Sequence, residues 1–517
     1  MSVKRTNLIA SGESRRKLSF KCSDVESVES KPVFPSNMSK AKIYYIALDD
    51  FWRKEKKLEW IRENHISTIA FELIEPDAKN NWINQTDNDW DSLLPLIDKE
   101  VKAGKSEEAV FKLFSYGFDT KRDDYVYSFD KTELKLKVFY FIDEYNKFVK
   151  DNDYAQRYSI KWSRNLERDA KRNILLKFDE KQIVTSEYRP YVKKYLYFDK
   201  HLISENFQWI NINQKTNDNF YIALSGISHT KPFQCFSVNM PHCGDLLEKT
   251  QSLPLYTFDS ENQKHENITD WGLTQFQNHY GENANAEART TVRAFDAENN
   301  QSEAQKSTLT NVRVSASENG AKITKQDIFY YTYAVLHSPV YRKKYEQNLK
   351  REFPRLPFYE DFFRWRDWGK ELMNLHINYE TQESFALERK DLDLSAKRKI
   401  ASNTMFDEMI NARIDDFVSK PQTKLRADKE NGAILLDSIT TLTGVPHSAW
   451  EYKLGNRSAL EWILDQYKER KPQDATIAER FNTYKFEDYK EQVIDLLKRV
   501  CNVSVKTMEI IEKMPNE

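Results

Sequence analysis

Residues 328–358 read IFYYTYAVLHSPVYRKKYEQNLKREFPRLPF, a stretch in which aromatic and basic side chains dominate two predicted helices. Thr324 and Asp327 have the spacing of a capping box, in which each residue satisfies a free backbone N–H of the other. This spacing predicts a first helix that runs through Leu336.

A second helix is predicted to begin at Ser338 and Pro339, because serine is a favourable N-cap and proline is tolerated in the first turn. Tyr341, Tyr345 and Leu349 share one face of it. Cations occupy much of the remaining surface: Arg342, Lys343, Lys344, Lys350 and Arg351. Such a surface suits contact with phosphate groups, and it is equally compatible with an ordinary solvated face.

The N-terminal half of the chain mixes predicted strands and helices. Residues 42–48 alternate like a strand and precede an amphipathic helix that ends near Arg62. A further helix is predicted near 106–116. Residues 131–175 are predicted to be helical, with one apolar face formed by Leu134, Val138, Phe141 and Ile142.

The remaining elements complete a mixed α/β (α+β) prediction. From Ile183 to Phe236, short runs rich in β-forming residues predict a small sheet. From residue 322 onward the pattern is mostly helical, and Ser458 with Glu461 forms a second capping box. The helix predicted to follow Ser458 has an apolar face that consists of Leu460, Ile463, Leu464 and Tyr467.

The overall composition indicates an intracellular protein of several domains. The chain has 517 residues and a formal net charge of −1, with only four cysteines, which suits a reducing compartment. No signal peptide and no apolar run of membrane-spanning length is present, so the cytoplasm is the expected location. The charge is distributed unevenly, because residues 156–200 and 322–370 are locally basic while residues 46–110 are acidic.

Several blocks of sequence resemble the C-terminal specificity region of type ISP restriction–modification enzymes. Besides 328–358, the likeness covers FYEDFFRWRDWGKELMNLHINYE (358–380) and four further blocks. These are EYRPYVKKYLYFDKHLI (187–203), NITDWGLTQFQNHYG (267–281), GVPHSAWEYKLGNRSALEWILDQYKER (444–470) and FNTYKFEDYKEQVIDLLKRVCNVSVKTMEII (481–511). Enzymes of this family join a nuclease, an ATP-driven motor, an adenine-N6 methyltransferase and a DNA target-recognition domain in one chain.

A weaker resemblance upstream suggests the domain organisation. KIYYIALDDFWRKEKKLEWI (42–61) and GFDTKRDDYVY (117–127) are similar to the end of the family's methyltransferase domain, and SGESRRK (11–17) is similar to one of its loops. We therefore expect a loose segment at 1–38, the distal part of a methyltransferase-like domain at 39–150, and a target-recognition domain at 151–517. Residues 281–320, poor in aromatics, are expected to form a flexible insertion.

The catalytic motifs of the resembled family do not occur in this sequence. There is no Pro-Pro dipeptide, so the (Asn/Asp)-Pro-Pro-(Tyr/Phe) motif that holds a flipped adenine is absent. The twelve glycines are never closer than nine positions, which excludes both a G-x-G-x-x-G cradle and a P-loop. No catalytic residue, metal ligand or cofactor site is therefore assigned. S-adenosylmethionine, ATP and Mg are expected only for other parts of such enzymes.

Sequence-specific recognition of double-stranded DNA is the function that the resemblance implies. Bases are read chiefly by Arg, Lys, Asn and Gln, and phosphates are held by Lys and Arg. The candidate DNA-binding residues are Arg189, Lys193, Lys194, Arg342, Lys343, Lys344, Lys453, Asn456 and Arg457. Burial of Arg189 against a core carboxylate, and simple helix capping around Ser458, are the structural alternatives.

Two other functions stay open from the sequence. The chain could serve an adenine methyltransferase whose catalytic half is a separate polypeptide, or it could be a truncated relic without function. Three further patterns are better explained by structure than by chemistry. His229, Cys235, His242 and Cys243 lack the spacing of a zinc site. The segment EPDAK (75–79) is expected to be a turn rather than part of a nuclease, and Trp365, Trp368 and Trp450 are expected in the core.

Overall fold

The structure is a computed structural model that describes residues 42–48, 52–76, 82, 88–151, 159–209, 219–281, 322–392, 409 and 421–515. The segment 1–38 with its SGESRRK loop, the end of EPDAK from residue 77, and nearly all of the 281–320 insertion lie outside these residues. Contacts divide the chain into two compact units, residues 1–87 and 88–517. The boundary falls inside the segment 39–150, and the assignment of that segment to a methyltransferase stays a prediction.

The smaller unit has one hairpin-like strand pair and one helix in its described part. Strands β1 (Ile43–Tyr45) and β2 (Glu72–Ile74) pair antiparallel, with Tyr44 opposite Leu73. The helix between them spans Lys54–Glu63. The strand and the amphipathic helix predicted for this region are therefore confirmed, although the strand is shorter than expected.

The larger unit contains two four-stranded antiparallel sheets, a three-stranded sheet and several short strand pairs. The sheet that we call the central sheet has the order β4-β10-β8-β9 and is formed by Ser115–Tyr116, Gln251–Pro254, Tyr221–Leu224 and Cys235–Val238. The three-stranded sheet has the order β5-β7-β6 and is formed by Tyr127–Ser128, Val192–Tyr197 and Ile183–Arg189.

The second four-stranded sheet has the order β14-β17-β16-β15 and is formed by Glu388–Asp391, Thr440–Thr443, Ala433–Asp437 and Thr423–Asp428. The short strand pairs are β3 (Leu94–Pro95) with β13 (Arg355–Leu356), β11 (Tyr256–Phe258) with β12 (Lys264–Glu266), and β18 (Lys453–Leu454) with β19 (Arg457–Ser458).

The described residues of the larger unit include the helices Lys99–Lys102, Asp123–Val126, Lys131–Lys150, Arg164–Lys171, 270–281, Lys325–Val335, Pro339–Lys344, Glu346–Arg351, Phe362–Ile377, His447–Glu451, Ala459–Gln466, Ala475–Arg480 and Lys490–Glu512. The mixed α/β fold class is confirmed. Among the described residues, none of the helices has the length and apolar character that a membrane span requires.

The predicted helix near 106–116 is wrong, because tertiary hydrogen bonds claim the backbone of that segment. Val110 and Phe111 donate N–H groups to the carbonyl oxygens of Pro95 and Leu96. Leu113 donates its N–H to the Asn267 side chain, which in turn donates to the Leu113 carbonyl. These long-range partners replace the i to i−4 bonds that a helix would make.

Two predictions for the C-terminal half are also corrected. Residues 388–443 contain a sheet where mostly helix was expected. The second helix of the opening stretch is broken at Tyr345 into Pro339–Lys344 and Glu346–Arg351. Tyr345 adopts φ −108° and ψ 19° there, and its hydroxyl donates to Asp89 Oδ1 at 2.7 Å.

The capping and burial predictions are confirmed. Both capping boxes form, at Thr324 with Asp327 and at Ser458 with Glu461. The apolar faces predicted for the two helices after residues 131 and 458 are buried, as are Trp365, Trp368 and Trp450. One continuous hydrophobic cluster runs from Trp90 to Met514.

The helices Lys325–Val335 and Phe362–Ile377 pack closely against each other in this core. A Cβ atom added to Gly369 would lie 1.8 Å from the Tyr330 carbonyl oxygen, so only glycine allows the two backbones to approach. A buried hydrogen-bond chain extends the contact to the helix Lys490–Glu512. In that chain Tyr333 Oη lies 2.6 Å from His376 Nδ1, and His376 Nε2 lies 3.0 Å from Thr507 Oγ1. Burial lowers the pKa of His376 to about 3, so the imidazole is neutral.

We expect Gly369→Ala to lower the free energy of unfolding by about 1–3 kcal/mol, because overpacking forces the two helices apart. The measurement is urea denaturation followed by circular dichroism. Gly281→Ala is the matched control, since a Cβ atom at Gly281 meets nothing within 4 Å. Equal stability of the two variants would contradict the packing argument.

Candidate functional site

A loop at one end of the central sheet is fixed by hydrogen bonds at its base and at its tip. Residues 225–234 connect β8 to β9, whose Leu224 and Cys235 are paired. The backbone N–H groups of Thr230 and Lys231 donate to the Glu248 carboxylate at 2.8 and 3.0 Å. The loop is therefore fixed at its tip as well as at the two strands that it joins.

The two short basic helices lie against this loop. Ser228 donates its backbone N–H to the Lys350 carbonyl oxygen at 2.8 Å. The Arg342 guanidinium lies 5.8 Å from the centre of the Phe233 ring. Ser338 caps the helix Pro339–Lys344 by accepting a hydrogen bond from the Tyr341 N–H, as the sequence predicts.

A tight hairpin approaches the same loop from another part of the chain. Lys453–Leu454 pairs with Arg457–Ser458, and Gly455 has φ +72° at the turn between them. The position of a Cβ on Gly455 would be 2.9 Å from Gln234 Nε2, so the turn lies directly on the end of the 225–234 loop. The Trp462 indole donates to the Leu454 carbonyl at 3.0 Å and ties the hairpin to the next helix.

These three segments, residues 225–234, 339–351 and 453–458, together form what we call the three-segment surface. Lys343, Lys453 and Asn456 are exposed on it. Within the part of the chain that the structure describes, neither Lys343 nor Lys453 has a carboxylate within ion-pair distance. The surface therefore carries uncompensated positive charge at two separate segments, together with an exposed amide.

Two other predicted residues of this surface are paired with carboxylates. Lys344 Nζ lies 2.8 Å from Asp89 Oδ1, and its hydrogen bond to this carboxylate raises the pKa of Lys344. Arg457 NH1 lies 2.9 Å from Asp465 Oδ2, while its guanidinium lies 5.1 Å from the Trp462 ring centre. Ser458 caps its helix through Glu461, so the capping alternative describes that residue.

Arg342 is directed into the protein although its neighbour Lys343 is exposed. Its Nε donates to the Leu336 carbonyl oxygen at 2.6 Å, and its second terminal nitrogen is buried without a partner among the described residues. Burial lowers the pKa of Arg342. Through this hydrogen bond Arg342 joins the end of the helix Lys325–Val335 to the start of the helix Pro339–Lys344.

The remaining three predicted residues lie on the β6–β7 hairpin. Arg189 is half-buried and donates to the Tyr188 carbonyl at 2.6 Å and to Cys243 Sγ at 3.2 Å, rather than to a core carboxylate. Lys193 Nζ lies 2.6 Å from Glu380 Oε2. Lys194 Nζ lies over two aromatic rings. The contacts of this hairpin thus differ from those of the three-segment surface.

The structure adds basic residues to the three-segment surface that the sequence analysis left out. Lys231 belongs to the 225–234 loop, and Lys249 donates to the Ser228 carbonyl at 2.6 Å from an adjacent segment. The turn-forming residues between Gly226 and Pro232 are the signal that could have identified the loop. Their proximity to the basic helices depends on tertiary contacts.

The cysteine and histidine residues near the central sheet are buried. His242 Nε2 lies 2.8 Å from Ser252 Oγ, and burial lowers the pKa of His242 to about 4. Cys235 and Cys243 are buried as free thiols. Among the described residues no group of three potential metal ligands comes together.

Comparison with known proteins identifies the class to which this fold belongs. The family model described as the Type ISP C-terminal specificity domain matches residues 109–496. The chain therefore belongs to the Type ISP C-terminal specificity domain family. A search of the curated proteins found no match.

Solved structures show the same architecture. A cryoEM structure of a DrdV–DNA complex is similar with a TM-score of 0.75 and 40% sequence identity, over 92% of this chain and 43% of that one. The Type ISP restriction–modification enzymes LlaGI, as a nuclease-deletion mutant with a DNA substrate mimic, and LlaBIII, bound to DNA, share the fold. Their TM-scores are 0.67 and 0.68 at 24% and 23% identity, over 93% of this chain and 40% and 28% of theirs. The chain thus spans less than half the length of these relatives.

We expect Arg342→Ala to lower the free energy of unfolding by about 1–3 kcal/mol, because it leaves the Leu336 carbonyl without its donor. Lys343→Ala at the next position should change stability by less than about 0.5 kcal/mol, since the side chain is exposed. Chemical denaturation of both variants checks the pair. Equal losses would show that the burial of Arg342 does not matter for stability.

Proposed function

We propose that the chain recognises a specific sequence in double-stranded DNA as the specificity part of a type ISP restriction–modification system. The observation that carries the proposal is the convergence of three segments, distant in sequence, into a surface with unpaired cations and an exposed amide. Membership of the specificity-domain family and the DNA complexes of DrdV, LlaGI and LlaBIII support it.

The roles of the residues follow from their exposure. Lys343 and Lys453 hold phosphate groups, because an unpaired ammonium gains more from a phosphate than one that already has a carboxylate. Asn456, at the tip of the hairpin turn, reads a base edge, for which a side-chain amide is suited to adenine. Arg457 can contact a guanine only if its ion pair with Asp465 breaks. Arg189 can contact a base only if it gives up its hydrogen bonds to Cys243 Sγ and to the Tyr188 carbonyl.

The bacterial cytoplasm is the proposed place of action. The chemistry that uses S-adenosylmethionine and ATP with Mg would come from a methyltransferase, nuclease or motor part other than the residues of this sequence, on the same polypeptide or on a separate one. A non-functional relic is the competing interpretation. The ordered surface of exposed cations favours function, since a relic is under no constraint to retain it.

Duplex binding should depend steeply on salt, because each phosphate neutralised releases counterions and contributes about −0.9 to the slope of log K against log salt. Lys343→Ala and Lys453→Ala should each flatten this slope by about one unit on every duplex. Fluorescence anisotropy between about 50 and 200 mM salt measures it. Lys181→Ala, an exposed lysine of the same unit outside the surface, should leave the slope unchanged. A slope near zero for the unmodified chain would refute phosphate contact altogether.

Selection of randomised duplexes by the chain should recover a defined motif, and Asn456→Ala should relax the preference at one position. The expected loss on the preferred site is about 1–3 kcal/mol, because a bidentate amide–adenine pair disappears only where adenine is present. Lys453→Ala in the same hairpin is the control and should weaken all duplexes alike. A uniform loss for Asn456→Ala would instead make it a backbone contact.

On its own the chain should neither bind S-adenosylmethionine nor methylate DNA, since the Gly-rich turn and the Pro-Pro motif are missing from its sequence. Isothermal titration calorimetry with the methyl donor and a methyl-transfer assay on duplex DNA check this. Saturable binding at micromolar concentration would contradict the division of labour proposed above.

A further inference from the structure

A pocket of about 420 Å³ lies between the β6–β7 hairpin and the helix Lys490–Glu512. This volume lies in the range of small-molecule sites, which are mainly apolar and contain a few polar groups. Aromatic side chains form part of its wall, namely Phe129, Tyr195, Tyr467 and Tyr489. Phe129 and Tyr467 are stacked with ring centres 4.5 Å apart, which makes that part of the wall rigid.

The charged groups of the pocket leave one cation without a partner. Lys193 Nζ lies 2.6 Å from Glu380 Oε2, and Arg499 Nε lies 2.7 Å from Asp495 Oδ2. In each pair the positive and the negative charge cancel, and all four residues belong to the pocket lining. Lys194 is the remaining charged residue, so the pocket as a whole carries one positive charge when this lysine is protonated.

Two aromatic ring faces flank the Lys194 ammonium. Its Nζ lies 4.0 Å from the ring centre of Tyr188 and 4.6 Å from that of Phe129. In the described part of the chain it has neither a hydrogen-bond acceptor nor a carboxylate within ion-pair distance. Because Lys194 lines the pocket and is partly exposed there, an incoming anion can reach its ammonium group and form a charge-assisted contact.

Burial lowers the pKa of Lys194 to about 7. Among the neighbouring charges, Arg189 and Lys137 also oppose its protonation, while Asp123 and Asp124 favour it without reaching ion-pair distance. The lysine therefore changes protonation in the physiological range. An anion that pairs with Lys194 binds only when this lysine is protonated, so proton uptake by the lysine accompanies binding.

We propose that this pocket binds a small organic molecule with a single negative charge on an aromatic body, whose anionic group pairs with Lys194. The single unpaired cation matches one negative charge, and a second would face the carboxylates of Glu380 and Asp495. The aromatic side chains of the pocket wall would pack against the aromatic body of the ligand. This site is separate from DNA recognition by the three-segment surface and does not depend on it.

The test uses benzoate and 1-naphthoate as probes, with benzamide and 1-naphthamide as neutral counterparts of the same shape. Calorimetry on the full chain should show saturable binding of at least one carboxylate at pH 6, at least tenfold tighter than its amide. Affinity should fall about tenfold from pH 6 to pH 8, because a lysine with a pKa near 7 loses most of its protonation over that interval. The pH series requires no variant and so does not depend on the folding of one.

Lys194→Met keeps the apolar stem and removes the charge, and it should abolish the preference for carboxylate over amide. Lys181→Met, an exposed lysine outside the pocket, should retain the full preference. Carboxylates that bind no better than amides, or a preference that survives Lys194→Met, would overturn the proposal. It would also be overturned if no carboxylate bound while Lys194→Met flattened the salt dependence of duplex binding, since Lys194 would then hold a DNA phosphate.

Discussion

The close approach of two helices at Gly369 is the constraint on which the rest of the larger unit depends. With no side chain at this position, the helix Phe362–Ile377 comes into van der Waals contact with the backbone of Lys325–Val335 at Tyr330. This contact between Gly369 and Tyr330 fixes the position of the helix Lys325–Val335, which ends near Leu336. The Leu336 carbonyl then receives the Arg342 guanidinium, and this bond sets the direction in which the basic helices leave the core.

The three-segment surface follows from that direction. The segment Asn88–Ser92 holds the basic helices from one side, through the Asp89 contacts with Lys344 and Tyr345. The 225–234 loop holds them from the other, through Ser228 and Lys350. Because the basic helices are hydrogen-bonded on both sides, the exposed cations project from a fixed scaffold, which favours specific over loose electrostatic binding.

Local patterns in the sequence were sufficient for the elements that depend on local interactions. Capping boxes at Thr324 and Ser458 and the apolar face after residue 131 were predicted correctly, since a cap and a helix face involve neighbours in sequence. The segment 106–116 was predicted wrongly because Asn267, about 150 residues away, satisfies its backbone. The sheet at 388–443 was missed because its two edge strands, Glu388–Asp391 and Thr423–Asp428, consist mainly of polar residues outside the core, so they lack the apolar runs that indicate a strand.

The candidate site shows the same limit at the level of single residues. Arg342 and Lys343 are equivalent in the sequence pattern, yet one donates to a carbonyl inside the fold and the other is exposed. Residue type predicted that the region is basic. It could not predict which cation had an internal partner, because Leu336, Asp89 and Asp465 meet these cations only through tertiary packing.

Hydrogen–deuterium exchange of the chain with and without its selected duplex tests the central claim most directly. Exchange should slow on DNA binding in residues 225–234, 339–351 and 453–458 together, with little change in the β6–β7 hairpin. Protection confined to the β6–β7 hairpin, or to only one of the three segments, would contradict a recognition surface formed by their convergence.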